Sequence, residues 1–78
     1  MSDKIIRFTS ATCAPCKIIA KTLESMNLDI PIEVIDISVF PEYIDEFGIR
    51  GVPTLVYQGK QLVGNKTAEE IKEFLNIF

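Results

Sequence analysis

The sequence has 78 residues and a formal net charge of -3, from 8 basic and 11 acidic side chains, with 47% of positions hydrophobic. That length bounds the chain to one domain, residues 1–78, with a core that is small but sufficient. There is no basic block to hold nucleic acid, and no apolar stretch approaches the ~18 residues that a membrane span needs.

The chain begins Met1-Ser2-Asp3-Lys4 and lacks the apolar region of a signal peptide, so a reducing cytoplasm is the expected location. Residues 4–9 read as a strand, with Ile6 and Phe8 on one face and Ile5, Arg7 and Thr9 on the other. Residues 14–27 read as a helix that tolerates Pro15 in its first turn. Its apolar stripe is Ile19, Ala20, Leu23 and Met26, and Cys16 falls on the same side. After the break at residues 28–31, residues 32–37 (IEVIDI) are rich in β-branched side chains and read as an interior strand. A short helix is expected over 41–47, with Pro41 near its start and Gly48 as its C-cap. Residues 54–57 and 61–63 read as a hairpin turning at Gln58-Gly59-Lys60. Thr67-Ala68-Glu69-Glu70 matches a capping box and opens a last helix with Ile71, Phe74 and Leu75 on one face. The order is β-α-β-α-β-β-α, an α/β chain without repeats or long linkers.

Cys13-Ala14-Pro15-Cys16 lies where the first strand gives way to the first helix. A C-x-x-C pair there puts one sulfur at a helix N-terminus, where the backbone favours an anion. The second sulfur is close enough to close a small disulfide ring. So short a loop gains little as an entropic cross-link, and a dithiol/disulfide redox centre explains the pair better. Cys16 lies on the apolar stripe and Cys13 ahead of it, so Cys16 is expected to be shielded and Cys13 reachable. The plainer alternative is a pair of core thiols, since free cysteine is often buried. Lys17 reads first as a solvated helix residue and second as positive potential near a thiolate. Arg7 has two readings, snorkelling from its strand or lying near the sulfurs. Phe40, Tyr43 and Phe47 read as core or helix-packing residues.

At Cys13–Cys16, and again over Gly48-Ile49-Arg50-Gly51-Val52-Pro53-Thr54-Leu55, the chain resembles the thioredoxin family. The resemblance covers roughly residues 4–76, and C-x-P-C followed by G-V-P-T is a specific combination. It implies a thioredoxin-like fold, a four-stranded mixed sheet with three helices. It implies reversible dithiol–disulfide exchange with disulfide-containing protein substrates, no cofactor beyond a redox-active Cys13–Cys16 disulfide, and a thioredoxin-reductase-type upstream donor. The implied unit is a monomer. The Val52–Pro53 bond is expected to be cis, with Val52, Pro53, Gly64 and Thr12 forming the substrate groove. Residue 52 can then pair with an extended substrate segment, as in strand addition. Ala14, Pro15 and Lys17 are expected to tune the redox pair.

The chain departs from the family in several places. The family's extra N-terminal strand and helix are absent. Thr12 stands where a tryptophan is usual and Ala14 where a glycine is. Arg7 replaces a buried acid that helps move the second cysteine's proton. A glutathione-linked glutaredoxin is the nearest alternative by length, but the Gly-Gly…Asp segment that holds glutathione is replaced by Val63-Gly64-Asn65-Lys66. A metal module is a further alternative. One C-x-x-C supplies two of the four ligands of a closed zinc site, so zinc would need sulfurs pooled across a dimer. Cu(I) suits two thiolates, but Ala11 replaces the methionine of copper-chaperone loops.

Overall fold

The computed structural model describes residues 4–77. Seven elements follow in order: β1 (Ile5–Thr9), α1 (Ala14–Ser25), β2 (Ile32–Asp36), α2 (Glu42–Phe47), β3 (Thr54–Tyr57), β4 (Lys60–Val63) and α3 (Ala68–Leu75). The strands form one sheet in the order β2-β1-β3-β4. β2 runs parallel to β1, whereas β1–β3 and β3–β4 are antiparallel.

Strand alternation divides the core in two. Ile5, Leu55 and Tyr57 point to one face and pack with Ile19 and Leu23 of α1 and Ile71 and Leu75 of α3. Phe8, Ile35 and Val56 point to the other and pack with Ile49, with Tyr43 and Phe47 of α2 against them. β1 feeds both cores: Ile5 and Phe8 are each fully buried, on opposite sides of the sheet. Phe8 anchors an aromatic group, with ring centroids 5.2 Å from Phe47 and 6.0 Å from Tyr43.

Three features differ from expectation. β2 is an edge strand, not an interior one. Its β-branched composition suits any strand, but its neighbours are chosen by the chain returning through α2 to the far side of β1. Ile32 and Val34 are left exposed on the α1 face. There a cleft of about 200 Å³ opens between α1 and β2, lined by Arg7, Ala20, Leu23, Glu24, Ile32 and Val34. Second, the hairpin turn holds two residues, Gln58 and Gly59, and Lys60 already pairs with Tyr57. Both turn residues have positive φ, 50° and 77°, which is how a two-residue turn matches the twist of its strands. Third, Phe40 meets the helix-packing reading but not the core one, being half exposed. It meets Tyr43 edge-on at 6.4 Å, but the aromatic core is already closed by Tyr43 and Phe47.

The helix ends follow local chemistry. Gly48 caps α2 with φ 64°. At α3 the Thr67 Oγ1 accepts the Glu70 N–H at 3.2 Å, while a Glu70 carboxylate oxygen accepts the Thr67 N–H at 3.1 Å. The backbone N–H of Thr67 is the main cause, and its hydroxyl the next, that holds the exposed Glu70 carboxyl below its ordinary range. A carboxyl lowered on folding adds stability above its unfolded value and loses it as pH falls through the folded one. Thr67→Ala is expected to lower the unfolding free energy by about 1 kcal/mol at neutral pH in urea denaturation. Glu70→Gln should be less stable than wild type at neutral pH, with the gap closing in acid. A gap independent of pH would remove the ionised carboxylate from this account.

Candidate active site

β1 delivers the chain to a four-residue connection, residues 10–13, that ends on the first turn of α1. Cys13 is the N-cap, with extended backbone (φ -99°, ψ 100°). Its Sγ accepts the backbone N–H of Cys16 at 3.1 Å, the role that a serine or aspartate oxygen fills at most helix starts. Pro15 sits in the first turn, where a missing N–H costs little. No acidic residue lies in that turn, so nothing offsets the partial positive charge of the helix N-terminus.

Cys13 and Cys16 are joined as a disulfide, with their Cα atoms 5.2 Å apart. Cys13 is 8% exposed and Cys16 2%. The order is that of the apolar stripe, but the margin is small, because Cys13 is itself tucked against the helix start. Thr12, Ala14, Pro15 and Lys17 around the pair are exposed. Among the described residues no group of three or more His, Cys, Asp or Glu is placed to hold a metal ion.

The sheet register gathers further residues at the same end. Phe8 pairs with Thr54 and Thr54 with Val63. The start of β3 and the end of β4 therefore lie beside the end of β1, from which Cys13 follows. The Val52–Pro53 bond is cis. Pro53 is buried and Val52 half-buried. Gly64 donates its N–H to the Pro53 carbonyl at 2.8 Å. The fully buried Thr54 hydroxyl is satisfied by donating to the Gly51 carbonyl. On the other side of β1, Ile37 donates to the Thr9 carbonyl at 2.9 Å, and Ala11 donates to the Ser38 hydroxyl at 3.3 Å. Ser38 was not among the sequence candidates. The signal available was local: an aspartate two residues before a serine at a strand end forms an Asx turn, here Ser38 N–H to Asp36 Oδ1 at 2.8 Å.

The family model for Thioredoxin matches residues 1–77. The chain belongs to the thioredoxin family. It is 30% identical to the thioredoxin of Buchnera aphidicola over 83 residues, covering 95% of this chain and 76% of that protein. It is 33% identical to the SPbeta prophage-derived thioredoxin-like protein YosR of Bacillus subtilis over 58 residues, 74% of this chain and 70% of that protein. The fold also matches a mutant thioredoxin from Halobacterium salinarum with a TM-score of 0.82 at 24% identity, covering 96% of this chain and 73% of that one. Family and paired cysteines together make the chain a thiol-disulfide oxidoreductase.

Arg7 has two readings, and its surroundings favour one of them. It lines the cleft with Ala20, Leu23 and Glu24, beside the middle and end of α1 and not its first turn. Burial pulls the guanidinium below its ordinary value, and the nearby Glu24 carboxylate offsets part of that. The side chain therefore snorkels along the helix toward solvent.

Gly64 has φ +96°, and a Cβ built there would meet no atom within 4 Å. Any cost of substitution is therefore backbone strain, not collision. Gly64→Ala is expected to destabilise the protein by about 1–2 kcal/mol in urea denaturation. Unchanged stability would show that this stretch relaxes freely.

Proposed function

We propose that this chain, acting as a single domain over residues 1–78, is a dithiol reductant of protein disulfides, with Cys13 the attacking sulfur and Cys16 the resolving one. One observation carries the assignment. The Cys13 sulfur occupies the N-cap of α1 and accepts the Cys16 N–H, so the helix start favours its thiolate over its thiol.

The reduced pair begins the cycle. The Cys13 thiolate attacks one sulfur of a substrate disulfide; that S–S bond breaks, and the departing substrate thiolate takes a proton from solvent. Cys16 then gives up its proton and attacks the Cys13 sulfur of the mixed disulfide. The second substrate thiol leaves, and the Cys13–Cys16 disulfide holds the oxidising equivalent. Two electrons from an upstream donor and two protons restore the dithiol. In this reading Pro15 and Ala14 shape the ring, and exposed Lys17 adds positive potential. Thr12, Val52, Pro53 and Gly64 border the approaching substrate. Their common position at one end of the sheet supports the last assignment. A reductant of this kind belongs in a reducing compartment, the cytoplasm, and works as a monomer.

Insulin reduction followed by turbidity tests the proposal. Wild type is expected to accelerate it, Cys13→Ser to be inactive, and Cys16→Ser to stall as a trapped mixed disulfide on Cys13. Full turnover by Cys16→Ser would replace the two-cysteine cycle with a monothiol route. Alkylation of the reduced protein near neutral pH should modify Cys13 well before Cys16, and the reverse order would exchange the roles.

The upstream donor is a separate expectation. Val63-Gly64-Asn65-Lys66 supplies no clamp for the charged end of glutathione. Coupled assays should give faster turnover with a flavoprotein thioredoxin reductase than with glutathione. The opposite ranking would make the chain a glutaredoxin in function.

A further inference from the structure

The loop between β2 and α2 presents two apolar side chains to solvent from an ordered backbone. Val39 is 63% exposed and Phe40 48%. Hydrogen bonds around Asp36 and Ser38 hold this loop. Ser38 N–H donates to Asp36 Oδ1 at 2.8 Å. Val39 and Phe40 N–H both donate to the Asp36 carbonyl, at 3.1 and 2.9 Å. The Ser38 hydroxyl accepts the Ala11 N–H. The Phe40 ring rests edge-on against Tyr43, which stacks on Phe47 at 5.9 Å. Single exposed hydrophobics are ordinary. A consecutive valine and phenylalanine held outward by an ordered turn forgo the stabilisation that burying either would contribute.

The turn lies beside the redox pair. Ser38 touches Ala11, two residues before Cys13. Laid end to end, the links from Cys13 through Ala11 and Ser38 to Val39 total at most about 19 Å, and the bent path is shorter. A partner whose disulfide sits on Cys13 covers about 800 Å² of each protein, a disc of about 16 Å radius. The loop therefore lies at or inside the border of such a footprint centred on Cys13.

We propose that Val39 and Phe40 form an apolar docking ledge for the disulfide-bearing segment of a protein substrate, one that carries apolar side chains near its reactive cysteine. This rests on the disulfide-reductant reading above. Because the loop is ordered before contact, little entropy is lost there on binding. The ledge also lies on the side of the cysteines opposite β3 and β4, since β2 and β3 flank β1 from opposite sides. A substrate segment is thus gripped from both sides of the attacking sulfur.

Two disulfide-bridged peptides test this, identical except for leucines or serines flanking the cysteine. Wild type is expected to favour the leucine peptide by about tenfold in kcat/KM, carried by KM, which corresponds to about 1.4 kcal/mol. In Val39→Ser, Phe40→Ser and the double variant that preference should fall, to less than about threefold in the double variant. Phe40→Leu should restore it. Reduction of the serine peptide and thermal melting report that each variant is folded. Val39→Ser leaves the aromatic contacts intact, so it decides the matter if Phe40→Ser unfolds. No preference in wild type, or a preference that survives in the variants, overturns the ledge. Failure of wild type to reduce either peptide overturns the redox reading itself, and the ledge with it.

Discussion

Everything in this molecule hangs on β1 being buried on both faces. Ile5 seals the core under α1 and α3, and Phe8, three residues later, seals the one over α2. Two residues of one five-residue strand thus join two hydrophobic clusters, and the strand sets the direction in which the chain leaves the sheet. Large buried side chains such as Phe8 contribute about 3–5 kcal/mol each when judged by truncation to alanine, a large fraction of what a chain this small can muster. Because β1 cannot shift, the four residues after Thr9 have one task, to bring Cys13 to the start of α1.

The chemistry then depends on few groups. A helix N-terminus has unpaired N–H donors and a positive dipole end. Here the cap acceptor is a sulfur, and the donor belongs to the second cysteine. Capping and disulfide closure share one turn of helix, the turn to which the proposed thiolate is assigned. The neighbours arrive from elsewhere in the chain, Pro53 and Gly64 from the β3–β4 side and Ser38 from the β2 side. The loops are short and hydrogen-bonded, so the site is organised by rigid elements.

The sheet edge beside the middle and end of α1 is open. β2 lies at the sheet edge with Ile32 and Val34 half open, and Arg7 fills part of the cleft that α1 leaves beside them. An arginine is suited to that position because its stem covers apolar surface while its head reaches water. The Lys4–Glu33 ion pair places charge on the same edge strand, a feature that discourages pairing with another chain.

Much was legible in the residues themselves. Element order, the two faces of β1, the stripe of α1, the Gly48 cap and the Thr67–Glu70 capping box are local, and each follows from a periodicity or from side chains within one turn. So does the position of Cys13 at a helix start, because strand and helix patterns meet there. What the sequence could not decide is which elements become neighbours. IEVIDI reads as an interior strand from its β-branched composition, and only the return of the chain through α2 leaves β2 at the edge. Arg7 has the same side chain in either of its readings, and its place beside Ala20 and Glu24 depends on how far α1 leans across the sheet. Phe40 looks like a core residue until Tyr43 and Phe47 take the space against Phe8. Local patterns determine the elements, since their energies lie within a few residues. Burial and neighbourhood depend on contacts between residues far apart in the chain, and only the folded structure assigns them.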